Sequence, residues 1–331
     1  MSTAEDLGER KIIEIILDCL ERMPNMPIPF GDDVSALDIG DHRLAVLKTD
    51  MLVGKTDVPL GMSLWQVARK AVVMNISDLA AKGVEPKAVL VSLGIPGGYS
   101  REDIQQIGRG LNAGAREYHV YVLGGDTNQA SDLVISCSLL GSCDRGHIME
   151  RSGAKPGNLV AVTGFFGKTA SGLKILLDNR SAPPNLRKEL TRAVLMPHAR
   201  LKEGLALAET GAVRASIDSS DGLAWSLNEI AEASGVGLVV DNPPVAPEAR
   251  RFAEAQNLNP LELCLYGGEE YELVLTIEEE SWEEAREAVE QVEGSLIRIG
   301  RVVEGRRLLL KSGEETTAIE ARGWEHFREP G

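Results

Sequence analysis

The chain has 331 residues, of which 43% are hydrophobic and 26% charged, and it carries a formal net charge of −15. That length supplies two domains of ordinary size with real cores, and no apolar run is long enough to span a bilayer. So acidic a surface repels nucleic acid, anionic membrane and nucleotide phosphates, so any nucleotide bound here needs cations supplied locally by Arg, Lys or metal.

The opening segment, MSTAEDLGERK, is acidic and polar, unlike a signal or basic transit peptide. Residues Ala4–Met23 predict one amphipathic helix with Ile12, Ile15, Ile16 and Leu20 on a stripe. Three prolines in Pro24–Phe30 stop it, and GDDVSAL (Gly31–Leu37) reads as a tight turn with two adjacent aspartates. Arg43–Val53 predicts a strand. The stretch Lys70–Val89 reads as a buried amphipathic helix, beginning near Ser63, with Val72, Val73, Ile76, Leu79 and Ala80 at helical spacing. Asn75 and Asp78 lie on one face of it. A carboxylate in so apolar a helix needs a partner, either a basic side chain or a metal ion.

Further along, Lys87–Ile95 is strand-like, and Ser100–Tyr118 is a helix with Ser100 as N-cap and Asp103 in a capping-box position. Tyr121–Leu123 leads as a strand into the glycine turn GGDTN (Gly124–Asn128), and Leu133–Ser142 is another strand. A polar turn, RSGAKPG (Arg151–Gly157), marks a domain boundary, dividing the chain into 1–150 and 151–331. The second part carries helices near Thr169–Leu177, Asn185–Leu195, Arg200–Glu209, Ala224–Ala233 and Ser281–Val292. Its strands lie near Leu159–Thr163, Gly237–Val240, Tyr271–Ile277, Leu296–Val303 and Arg307–Leu310. Strands and helices mix irregularly, which places the fold in the α+β class or in α/β with mixed sheets.

Five aspartate-bearing turns stand out: Asp32/Asp33, Asp50, Asp78, Asp126 and Asp218/Asp221. Mg²⁺ takes oxygen ligands, a few carboxylates together with water and substrate phosphates, and loops at strand ends are where such ligands converge. Turn chemistry alone also accounts for aspartate at such positions. Gly164–Thr169, GFFGKT, resembles a phosphate-binding loop but has two residues between its glycines where the motif needs four. Four cysteines (Cys19, Cys137, Cys143, Cys264) form no CxxC pair, which argues against a disulfide framework or zinc site and fits a reducing, cytoplasmic compartment. Five histidines show no HExxH spacing, and no nucleophile–base arrangement is visible. Phosphoryl transfer to a phosphate acceptor needs no general base, since positioning and charge neutralisation do most of the work.

In order, GDDVSAL, KTDMLV, NISDLAAKGVEP, GGDTN, RSGAKPGN, IDSSDGLAWSL, GGEEYEL and GWEHF resemble the thiamine-monophosphate kinases, within the aminoimidazole ribonucleotide synthetase superfamily, from about Phe30 to Phe327. The resemblance implies ATP-dependent phosphorylation of thiamine monophosphate to the diphosphate by direct in-line transfer with several Mg²⁺ ions. It implies a homodimer with a β-barrel at its interface, a metal- and ATP-binding domain over 1–150, and a C-terminal α/β domain with a mixed sheet completing the site. Position by position, Asp33, Thr49, Asp50, Asp78, Asp126, Asp218 and Asp221 match metal ligands. Gly125, Asp126, Arg151, Ser220 and Tyr118 match nucleotide contacts, and Asp57, Glu269 and Trp324 fall at substrate positions. An aromatic ring there suits a cationic heterocycle. Two departures stand out. Lys48 replaces a small hydroxyl residue that contributes to a metal, so a cation there takes a metal's place, and Asp57 stands where many members have a substrate-contacting His; Glu270 for Asp is milder. Competing readings are another ATP-using member of the superfamily and a non-catalytic acidic metal-binding protein.

Overall fold

A computed structural model describes residues 3–327. The N-terminal half builds a five-stranded sheet from β1 (Ser35–Asp38), β2 (Arg43–Val53), β3 (Glu85–Ile95), β4 (Val122–Gln129) and β5 (Val134–Asp144), in the order β1-β2-β5-β3-β4. Its neighbours are antiparallel except β3 and β4. The C-terminal half contributes β6 (Leu159–Val162), β7 (Val213–Asp218), β8 (Gly237–Val240), β9 (Leu273–Ile277), β10 (Ile297–Val303), β11 (Leu308–Ser312) and β12 (Glu315–Ala318). They form a seven-stranded mixed sheet in the order β12-β11-β8-β10-β6-β9-β7, with β8 and β11 parallel. The fold is mixed α/β in two domains, and neither sheet closes into a barrel within the chain.

The Leu64–Ala81 helix joins the halves. Ser63 accepts the Gln66 N–H while Gln66 Oε1 accepts the Ser63 N–H at 2.9 Å, a reciprocal cap. Every residue from Val67 to Ala81 except Met74 is buried. A helix covered on all sides belongs between layers. One side packs on β2 and β5, the other on β7, β9 and the Leu201–Thr210 helix. The main hydrophobic core therefore runs from Val46, Leu52 and Val72 through to Leu273, Leu275 and Val289 without a break at the domain boundary.

Several expected boundaries shift. The central helix ends at Ala81, and Glu85–Val89 belong to β3, because Gly83 takes φ +64° and turns the chain. The N-terminal helix is two, Ala4–Leu7 and Glu9–Asp18, divided at Gly8 (φ 75°). Its stripe stays outside, with Ile15 and Ile16 at 44% and 52% exposure. The expected GGDTN turn is instead the middle of β4. A Cβ on Gly125 would lie 1.8 Å from Val91 O, so the glycine lets β4 pair with β3 there. Strand β7, which ends at Asp218, has no counterpart among the expected elements. The Ser100 capping box forms as expected.

Gly110, on the Arg101–Glu117 helix, lies so close to the central helix that a Cβ would stand 2.2 Å from Trp65 O. Gly110→Val is expected to destabilise the fold by about 1–3 kcal/mol through overpacking, read as a lowered urea midpoint with an unchanged slope.

Candidate active site

Three buried carboxylates converge at the junction of the halves. Asp33 comes from the loop before β1, Asp78 from the central helix, and Asp218 from the end of β7; each offers an oxygen, all within 4.8 Å of one another. Their exposures are 8%, 7% and 4%. The central helix fixes Asp78 rigidly, and Ser77 beside it donates to Asp218 Oδ2 at 2.6 Å. Asn75, one turn earlier, accepts the Asp50 N–H at 2.9 Å and donates to Ala71 O, which pins β2 to the helix.

Basic side chains reach this group from different directions. Lys48 Nζ lies 3.3 Å from Asp50 Oδ1 and 3.0 Å from Asp78 Oδ1. Lys82, wholly buried, places Nζ 2.6 Å from Asp32 Oδ1 and 2.8 Å from Asp33 Oδ2, and donates to Ser216 O at 2.6 Å. The Arg151 guanidinium pairs with Asp33 and Glu229, and the Arg151 backbone N–H donates to Asp32 Oδ2 at 2.9 Å. Burial works to raise the Asp33 carboxyl, but Lys82 and Arg151 outweigh it and hold the group below its ordinary value. Asp78 is pushed well up by burial and then by Asp218 and Asp50, despite Lys48. Burial and the nearby Asp33 raise Asp218 to about 6; burial, Glu9 and Asp218 raise Asp221 to about 7. Such a set resists full ionisation without added positive charge. Asp33 Oδ2 is also buried, with the Lys82 ammonium beside it. Oxygen donors of this kind suit a hard divalent ion such as Mg²⁺.

The other candidates divide. Asp221 lies in the loop after β7, where its carbonyl accepts the Trp324 N–H at 3.0 Å. The Ser220 carbonyl accepts the Glu269 N–H at 2.6 Å, so the segments bearing Asp221, Ser220, Glu269 and Trp324 are neighbours. Glu269, held at φ +63°, pairs with Lys70, whose Nζ also donates to Asp57 O at 3.1 Å. Lys70 thereby brings Asp57 and Glu269 together, but the Asp57 carboxylate itself accepts the Val53 N–H at 2.7 Å and so supports its own turn.

Thr49 and Asp126 do not join the group. Side chains alternate along a strand, so Lys48 and Asp50 face the central helix while Thr49 faces outward, with its hydroxyl against Ser138 Oγ (3.0 Å) and Cys137 O. Asp126 pairs in register with Ser92, which lies opposite Ser136 and so Met51, on that same outer face. It stands three strands from β2, about 14 Å at ordinary strand spacing. Gly125 shares the inward row with Val91, Cys137 and Asp50. Tyr118 turns its hydroxyl to the Ala199 N–H at 2.8 Å. The GFFGKT loop is no phosphate cradle, because Glu270 Oε1 already accepts the Gly167 and Thr169 N–H groups (2.6 and 3.0 Å) at that helix start.

Lys70 and Lys82 are site residues absent from the sequence expectations. Their signal was present: two lysines in or just after an otherwise apolar helix call for buried acceptors as strongly as Asp78 calls for a cation.

The two halves that build this buried carboxylate group match the AIR synthase related protein family, the N-terminal domain at residues 31–143 and the C-terminal domain at 155–311. Thiamine-monophosphate kinase of Pyrococcus abyssi is 35% identical over 97% of this chain and 96% of its own, and that of Bacillus subtilis 33% over 92% and 94%. The solved structure of AaThiL complexed with AMPPCP and TMP superposes with a TM-score of 0.85 at 28% identity, covering 98% of this chain and 99% of that one. The chain belongs to the thiamine-monophosphate kinase family.

The raised acids give a pH prediction. Asp218 and Asp221 bind protons more tightly folded than unfolded, so stability is present at low pH and is lost as pH rises through about 6 and 7. In chelator, the melting temperature is expected to fall between pH 5.5 and pH 8, and added Mg²⁺ to recover most of the loss at pH 8. A flat profile in scanning calorimetry would remove these acids from the buried group.

Proposed function

We propose that the chain transfers the γ-phosphoryl group of ATP to thiamine monophosphate, giving thiamine diphosphate, by direct in-line displacement. The observation that carries this reading is the buried Asp33–Asp78–Asp218 group, set in a chain of this family. The complex of AaThiL with AMPPCP and TMP supports the same pair of substrates.

Asp33, Asp78 and Asp218 would hold Mg²⁺, with Asp50 and Asp221 flanking them. An ion held there would neutralise charge on the phosphates of donor and acceptor. The chain's own residues do the positioning. The central helix and β7 fix the carboxylates from opposite sides, so the phosphates meet a preorganised field rather than one that must reorganise. The acceptor is a phosphate, already ionised at neutral pH, which fits the lack of a histidine or cysteine base among the described residues of the group. Arg151, paired with Asp33 and Glu229, would supply positive charge at the nucleotide side. Ser220 lies in the loop after β7, and Gly125 and Asp126 would reach the nucleotide from opposite faces of β4. Glu269 and Trp324 receive the thiamine moiety. Trp324 is 43% exposed and free to stack on a cationic ring. The two domains divide near residue 150, and the second half completes the site begun by the first.

We further propose a homodimer through the outer face of the N-terminal sheet, closing it into a barrel with its copy. Leu47, Met51, Leu90 and Leu140 are 44%, 61%, 52% and 41% exposed on that face, an apolar surface of the kind that marks association. Thr49 and Asp126 lie on it, so they act where the second chain or the nucleotide reaches that side. No described helix is long and apolar enough to cross a membrane. The four cysteines are free, in keeping with a cytoplasmic enzyme.

Purified chain with ATP and Mg²⁺ is expected to convert thiamine monophosphate, and not free thiamine, to the diphosphate; product chromatography decides, and ATP turnover indifferent to thiamine monophosphate would sink the proposal. Asp78→Asn is expected to lower turnover by about 100-fold or more with an unchanged circular dichroism spectrum. Light scattering is expected to give a dimer for the parent chain and a monomer for Leu47→Lys/Leu90→Lys.

A further inference from the structure

Lys48 is placed where no ordinary strand residue would be kept. Strand alternation sends it inward with Asp50, and its side chain is only 15% exposed. Its ammonium bridges two carboxylates from different elements, Asp50 on β2 and Asp78 on the central helix, at 3.3 and 3.0 Å. The other cations of the site serve other oxygens: Lys82 stands at Asp32 and Asp33, and Arg151 at Asp33 and Glu229. Asp218 takes the Ser77 hydroxyl. The Asp50–Asp78 pair is thus the part of the group whose positive charge is supplied by Lys48.

A divalent ion bonded to either oxygen would stand about 2.1 Å from it. An ammonium within hydrogen-bond reach of both same oxygens already fills that space, and two positive charges in contact repel strongly where water is scarce. The lysine and a metal bridging Asp50 to Asp78 therefore exclude each other. A tethered cation also differs from a metal in kind. It cannot be lost to a chelator, and its single charge leaves the carboxylate pair with net negative charge, which favours metal on the neighbouring Asp33–Asp78–Asp218 oxygens.

We infer that Lys48 is the resident cation of the Asp50–Asp78 pair, standing in one metal position so that the chain holds one divalent ion fewer than its carboxylates alone would take. This rests on the metal-binding reading above but not on the identity of the phosphoryl acceptor.

The test counts metal rather than turnover. Full-length chain and Lys48→Ser are titrated with Mn²⁺ alone, free Mn²⁺ being followed by electron paramagnetic resonance. Lys48→Ser is expected to bind one more Mn²⁺ per chain than the parent, and Lys48→Arg, which keeps the charge, to match the parent. Equal non-zero counts for parent and Lys48→Ser would overturn the inference and leave the metal reading standing; no bound Mn²⁺ on either would overturn both. An Arg variant that gains the extra ion would also overturn it, because charge would then not be the cause. If Lys48→Ser does not fold, Mn²⁺-soaked crystals of the parent decide: anomalous density bridging Asp50 and Asp78 would refute the inference, and its absence there with density at Asp33–Asp78–Asp218 would support it.

Discussion

The structure depends on keeping several carboxylates out of water at the meeting point of two domains. Burial of an isolated charge is prohibitive, and Asp33, Asp78 and Asp218 are each nine-tenths or more covered. Lys48, Lys82 and Arg151 make this tolerable, but they do so unevenly. Asp33 receives two cations and is held ionised, while Asp78 and Asp218 remain raised. The imbalance leaves a local demand for positive charge that a divalent cation would meet. A buried pair is weak evidence for stability on its own. Its more secure consequence here is positional, since each cation ties together chain segments far apart in sequence.

Lys82 shows that consequence most clearly. One ammonium links the Asp32–Asp33 loop to the Ser216 carbonyl of β7 across the domain junction. Replacing such a lysine would leave Asp32 with no cation, Asp33 with Arg151 alone and the Ser216 carbonyl without its side-chain donor, a loss of several kcal/mol by analogy with other broken buried pairs. The Arg69 guanidinium works in the same way on the far side of the helix, holding Glu117 and the Pro197 carbonyl. A helix buried on every side thus carries its polar residues as fastenings. That explains how fourteen of its residues can be buried while Arg69, Lys70, Asn75, Ser77 and Asp78 are among them.

Much of this was legible from residue pattern. Local signals placed β2, the Ser63 and Ser100 caps, and most C-terminal elements within a residue or two, because each is encoded within a few positions. The misses have a common cause. Strand β7 carries Arg214 in a short run, and its pairing with β9 is a non-local fact. β4 looked like a glycine turn because glycine marks both turns and close strand approach, and only the position of Val91 tells them apart. At the site, Asp33, Asp78 and Asp218 came together as three aspartates from distant motifs. Thr49 faces away from Asp50 by simple alternation along β2, a signal the sequence already carried, whereas the outward direction of Asp126 follows only from register across β2, β5, β3 and β4.

That register matters beyond bookkeeping of ligands. Strand β2 presents Lys48 and Asp50 to the charge group and Leu47, Thr49 and Met51 to the outer surface, so one strand serves two unlike surfaces. A slip by one residue would exchange them, setting leucine and methionine among buried carboxylates and driving lysine and aspartate onto the apolar face. Eleven paired positions between β2 and β5, and the Asn75 side chain gripping the Asp50 N–H, act against that slip. The outer face and the inner group are therefore not independent features. The contact that aligns Asp50 for its role inside the chain also sets which side chains the sheet offers to whatever covers it outside.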